Sequence, residues 1–149
     1  MKEKILNAMK SLGFLIKEDK EFCYCFRYEG KPFQLQYNEE DEEFLAILLK
    51  TTVSVDDEND VGFYQFMNKI NGVMKFVKAK MDNGSMWLSY ERELLGDEDL
   101  MQMLANMIFH LNDGFDFLYR LTPMIEKYSD AISDESDTDT EKDNKDDAE

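Results

Sequence analysis

Lys78-Ala79-Lys80-Met81-Asp82-Asn83-Gly84-Ser85-Met86-Trp87-Leu88-Ser89-Tyr90 is the stretch that decides how this chain folds. Asn83 and Gly84 both tolerate positive φ, which a type I′ turn needs if it is to match the twist of its flanking strands. A two-residue hairpin loop follows. The register then sets Met81 opposite Met86, Ala79 opposite Leu88 and Val77 opposite Tyr90 on an apolar face. Lys80 faces Trp87, and Lys78 faces Ser89, on the other. One surface is made for a core, and the other carries a tryptophan among lysines.

The same logic works outward to an earlier hairpin around Glu29-Gly30. Phe22, Tyr24 and Phe26 share a face with Phe33, Leu35 and Tyr37, while Cys23, Cys25, Arg27, Gln34 and Gln36 take the opposite one. A two-residue or a four-residue loop preserves this parity. Phe44-Leu45-Ala46-Ile47-Leu48-Leu49 is apolar at both parities, as expected of a central strand covered on both faces at its start. The segment Lys17 to Lys20 reads as a reversal before the strands.

Three helices complete the pattern. Ile5, Met9 and Leu12 follow helical spacing, and Gly13 is placed to end that helix in a left-handed conformation. Asp56 to Asp60 set carboxylates ahead of Phe63, Phe66, Met67, Ile70 and Met74, where they favour a helix N-terminus; Asn71-Gly72 offers an early stop. The third helix opens near Asp97 as N-cap and carries Leu100, Leu104, Met107, Ile108, Leu111, Phe115 and Leu118. Asn112-Asp113-Gly114 could kink it, and Pro123 is expected to end it. The fold class is α+β, with an antiparallel sheet in the order helix-strand-strand-strand-helix-strand-strand-helix.

Charge is the extreme quantity: 33 acidic against 17 basic residues among 149, for a net −16. Residues 129–149 hold 10 acidic and 2 basic side chains, with little apolar content to offset the entropy of ordering them. The expectation is a single domain over residues 1–126 and an acidic disordered tail over 127–149. Such charge repels phosphate backbones and anionic lipid, so neither nucleic acid nor a membrane is an expected partner. The opening Met1-Lys2-Glu3-Lys4-Ile5 lacks the apolar run of a signal peptide, which points to a cytoplasmic protein with reduced Cys23 and Cys25.

The residues give no constellation for catalysis. His110 is the sole histidine, lying beside the apolar stripe of the third helix, where a surface histidine without a role is the simpler account. A Cys25-His110 pair, the basis for an enzyme, has no motif around it. Cys23, Cys25 and His110 lack the paired spacings of zinc sites, and no glycine-rich phosphate loop is present, so no metal or cofactor is expected. Met67, Met74, Met81, Met86, Met101, Met103 and Met107 read mainly as core filling, with an adaptable binding surface as the alternative.

With these elements placed, the chain from Met1 to about Pro123 resembles the YbjN-like family, which shares the fold of class I type III secretion chaperones. The resemblance rests on Leu12-Gly13-Phe14 after a short helix, on strands paired around a glycine turn, and on Asn68-Lys69-Ile70-Asn71 in the second helix. It continues through Asp82-Asn83-Gly84 at a hairpin tip, Trp87-Leu88-Ser89-Tyr90-Glu91 after it, and a long final amphipathic helix. It implies a homodimeric α+β domain that binds polypeptide without catalytic residues. The expected function is a non-enzymatic, chaperone-like module for a protein or peptide client, with a small regulatory protein as the alternative. Trp87, Lys78, Lys80 and Ser89 are the candidate client site. Phe63, Tyr64, Phe66 and Met67 are the candidate dimer interface.

Overall fold

The computed structural model describes residues 1–55 and 60–142. Three helices pack on one face of a six-stranded antiparallel sheet: α1 (Lys2–Ser11), β1 (Lys17–Lys20), β2 (Cys23–Tyr28), β3 (Lys31–Gln36), β4 (Phe44–Ser54), α2 (Val61–Val73), β5 (Lys78–Asp82), β6 (Ser85–Glu93) and α3 (Leu100–Lys142). The strand order is β1-β2-β3-β4-β6-β5. The element order agrees with the sequence pattern apart from one addition. Lys17 to Lys20 is an edge strand paired with β2 rather than a reversal, and its four exposed charged residues carry no apolar periodicity that could have announced it.

Both hairpins close with two-residue loops. Glu29 and Gly30 have φ of 50° and 74°, and Asn83 and Gly84 have 48° and 74°; Tyr28 pairs with Lys31 and Asp82 with Ser85 across them. Met81 pairs with Met86, Ala79 with Leu88, Lys80 with Trp87 and Lys78 with Ser89, as the turn requires. The strand ladder stops there. Val77 instead donates its N–H to the carbonyl of Lys75 at 2.7 Å. Phe22, expected on the core face of β2, lies just outside that strand with φ of 61°.

Tyr24, Phe26, Phe33, Leu35, Ile47, Leu49, Met86 and Leu88 meet Ile5, Met9, Phe63, Met67, Leu104, Met107 and Leu111 in one core. Each such apolar side chain, once fully buried, contributes about 1.5–3 kcal/mol. Among the methionines singled out, Met67, Met86, Met103 and Met107 are buried here, and Met101 is exposed. β4 is interior to the sheet, but its start is not covered on both sides: Phe44 is 53% exposed. Where the β4–β6 register shifts after Lys50, the Thr51 hydroxyl donates to the Met86 carbonyl at 2.8 Å and accepts from Val53 N–H.

The helix ends correct two expectations. Asp99, not Asp97, receives the Gln102 N–H at 3.1 Å at the start of α3, and the neighbouring Glu98 carboxylate accepts from the N–H groups of Leu95 and Gly96. Pro123 lies inside α3, which runs on to Lys142 and so into the segment expected to be a disordered tail. The carbonyl that Pro123 leaves unbonded belongs to Tyr119, a residue 70% exposed, where water can take its place. Asp60 caps α2 by accepting from Phe63 N–H at 3.0 Å; the rest of the Asp56 to Asp60 run lies outside the described residues, as do residues 143–149 of the tail. Gly13 ends α1 with φ of 94°. Gly114 does not interrupt α3, and it faces the sheet, where a Cβ would stand 3.4 Å from Leu88 and Val77.

Candidate binding face of the sheet

All three helices cover one side of the sheet, so the side chains of opposite parity form a second, helix-free face. Three cross-strand rows build it. One runs Cys23, Gln36, Ala46, Glu91; the next runs Cys25, Gln34, Leu48, Ser89, Lys78; the third sets Trp87 between Lys50 and Lys80. Leu48 and Ser89 are buried between their neighbours, while Trp87 is half-buried.

Trp87 therefore stands off the core face as the hairpin register required, but its cationic surroundings differ from those read in the sequence. Lys50, from β4, places its ammonium 5.8 Å from the centre of the indole ring, a geometry in which the ring's quadrupole attracts the cation. Lys80, on the other flank, pairs with Glu91 at 3.4 Å, both side chains largely exposed; such a pair holds little energy. Lys78 points elsewhere. Its ammonium donates to the carbonyls of Asn71 (2.8 Å) and Met74 (3.0 Å) at the end of α2, where a cation meets the negative end of the helix. Lys50 escaped the sequence reading because only the pairing of β4 with β6, distant in the chain, brings it beside Trp87.

Two grooves flank this tryptophan, and Trp87 and Gln34 line both. One, of about 840 Å³, is bounded by Lys20, Phe22, Cys23, Gln36, Phe44 and Glu91. The other, of about 720 Å³, runs beneath the α1–β1 connection and is bounded by Leu15, Cys25, Arg27, Pro32 and Lys50. Leu15 is 93% exposed. An extended segment crossing the face would meet an aromatic platform at the junction, a cation over it, and apolar or polar walls on either side.

The sheet separates the two residues on which an enzyme would depend. Cys25 belongs to the helix-free face, whereas His110 packs at a tilt against Phe76 and Tyr90 on the helical side, at ring-centre distances of 5.4 and 6.2 Å. Burial, and then the neighbouring Cys25, push the Cys23 thiol upward and away from the thiolate form. Among the described residues, no group of three or more His, Cys, Asp or Glu could hold a metal ion. No helix among them is long and apolar enough to cross a membrane.

The expected dimer interface is divided by the fold. Phe63 and Met67 are 5% and 6% exposed within the core; Tyr64 is 43% exposed and Phe66 half-buried. Helical spacing alone could not separate these, because the apolar stripe of α2 is wider than the contact it makes.

An antiparallel sheet with helices on one face and a helix-free second face places the chain in the α+β class. Two solved structures share the architecture. An uncharacterized protein from Methanothermobacter thermautotrophicus superposes with a TM-score of 0.59 at 16% identity, covering 85% of this chain and 96% of its own. A chain of the heterodimeric ExoU–SpcU complex from the type III secretion system of Pseudomonas aeruginosa gives 0.51 at 16% identity, over 81% and 97%. No family model matches the chain, and no curated protein does.

Proposed function

We propose that this chain is a non-enzymatic, chaperone-like module that binds an extended protein or peptide segment across the helix-free face, with Trp87 as its anchor. The single observation that carries this is the placement of Trp87: half-buried at the junction of two grooves, with Lys50, which has no ion pair among the described residues, over its ring. A half-buried aromatic at the centre of a concave surface has the character of a binding hot spot, and rim charges act more on association rate than on affinity. The local cation suits a client with an acidic or aromatic residue at that point. Lys80 and Ser89 belong to the same surface, and Lys78 contributes by holding the end of α2. The ExoU–SpcU structure, a heterodimer of this fold with another protein, supports a polypeptide as the ligand.

The wider proposal is a cytoplasmic protein of YbjN-like type, homodimeric through the exposed side of α2 at Tyr64 and Phe66, with a folded domain over residues 1–126. Affinity capture from native cytosol on wild-type, Trp87→Ala and Lys80→Ala chains tests the site. A client retained by wild type and Lys80→Ala but lost from a folded Trp87→Ala is expected. Equal retention by all three moves the site off this face, and recovery of a metabolite or nucleic acid in place of a protein overturns the class.

A further inference from the structure

We propose that Asn71 closes the outer edge of β5 by standing in for a seventh strand, and that this prevents the sheet from pairing with a second copy of the chain. β5 ends the sheet, and an edge strand presents unpaired N–H and C=O groups that template further pairing. In an antiparallel ladder, every second residue turns those groups outward. Ala79 is one. Its N–H donates to Asn71 Oδ1 at 2.6 Å and its carbonyl accepts from Asn71 Nδ2 at 3.0 Å, the two bonds an adjacent strand would make.

The closure is nearly complete because β5 is short. Val77, two residues before Ala79, lies outside the strand and donates to Lys75. Met81, two residues after, is the remaining outward position before the Asn83-Gly84 tip. Lys78 fixes the plug in register by bonding the carbonyls of Asn71 and Met74. This gives a purpose to the Asn68-Lys69-Ile70-Asn71 element that the binding face does not use. The opposite edge, β1, is protected by other means: four charged residues and a register irregularity between Glu18 and Lys20.

The occupant of an opened β5 edge is a second β5. Two-fold antiparallel pairing centred on Lys80 sets Ala79 against Met81 of the other copy, so that the outward-facing groups bond each other. It also sets Lys78 against Asp82 twice, against a single Lys80–Lys80 clash. Charge therefore favours this register.

Hydrogen exchange and light scattering test the proposal, and neither depends on the client or its site. In the wild-type chain the Ala79 amide exchanges at least about tenfold more slowly than that of Met81; equal rates overturn the proposal even if every variant fails to fold. Folded Asn71→Ala loses the Ala79 protection when dilute and, when concentrated, forms species of at least twice the wild-type mass. Asn71→Ala with Asp82→Lys, which sets like charges opposite each other, returns to the wild-type mass. A folded Asn71→Ala that stays at the wild-type mass, or a double variant that still associates, refutes it.

Discussion

Lys31 and Asn112, 81 residues apart in the chain, meet through a 2.6 Å hydrogen bond from the Lys31 ammonium to Asn112 Oδ1. The bond fastens the tip of the β2–β3 hairpin to the N-terminal third of α3. Lys31 also lies 4.9 Å from the centre of the Phe115 ring and within 3.7 Å of carboxylates on Glu29 and Asp116. Asn112 in turn donates to Glu29 at 3.2 Å.

Replacing Lys31 with Met tests this latch. The ion pairs face carboxylates more than half exposed and add little, so the loss comes mainly from the charge-assisted bond to buried Asn112. A destabilisation of about 1–2 kcal/mol is expected in urea unfolding. Combining it with Asn112→Ala should cost less than the sum of the two single changes, because both remove the same contact.

What the sequence disclosed, and what it hid, follows from range. The Asn83-Gly84 register was legible because a turn that needs positive φ and an alternating apolar pattern agree over adjacent residues. Lys50 beside Trp87 was not, since it depends on β4 lying next to β6, a pairing with no local signal. β1 was hidden because its strand conformation comes from hydrogen bonds to β2 and not from any buried side chain. Phe63 and Tyr64 show the same limit within a helix: both look apolar in sequence, and only packing buries one and exposes the other. The pair of hydrogen bonds between Asn71 and Ala79 lay within eight residues, yet Asn-Gly read first as a helix stop.

Tyr37 is 2% exposed, and its hydroxyl has no hydrogen-bond partner among the described residues. Burial accordingly raises its pKa. Because an unpaired buried hydroxyl carries a desolvation cost, Tyr37→Phe should be neutral or stabilising by up to about 1 kcal/mol. Denaturant melts of the two proteins decide, and a clear loss of stability would show that the hydroxyl is satisfied.

Phe76 takes a left-handed φ of 65° while stacking on Tyr90 at 5.8 Å, 62% exposed. Ala at this position keeps the backbone strain and loses the stacking; Gly loses the stacking but relieves the strain. Phe76→Gly should therefore be more stable than Phe76→Ala by about 1 kcal/mol, measured by thermal unfolding. The reverse order would mean that the backbone leaves the left-handed region once the ring is gone.

Glu98 gives the start of α3 a pH dependence. Its carboxylate is held below the usual range, first by the Leu95 N–H, with Gly96 N–H and Arg92 assisting. A group whose folded pKa is depressed contributes stability above its unfolded pKa of about 4.3 and loses it as pH falls through the lower folded value. Wild type and Glu98→Gln should thus differ in melting temperature at neutral pH and converge in acid. A gap unchanged down to strongly acidic pH would place the effect in packing rather than ionisation.

Cutting the chain after Tyr128 tests the proposed domain boundary. Among the residues of α3 whose side chains are described, Leu118 is the last in the buried core; the removed segment, helical as far as Lys142, offers only Ala131, Ile132 and Ala148 as apolar residues in its sequence, little with which to stabilise the domain. Thermal melts of the full and truncated chains should agree to within about 1 kcal/mol of stability, inside the range of substitutions away from a core. Solubility should fall, because residues 129–149 carry 10 of the 33 acidic side chains and their charge opposes association. A large drop in melting temperature would mean that the acidic helix docks on the domain, and the boundary would then have to move beyond residue 128.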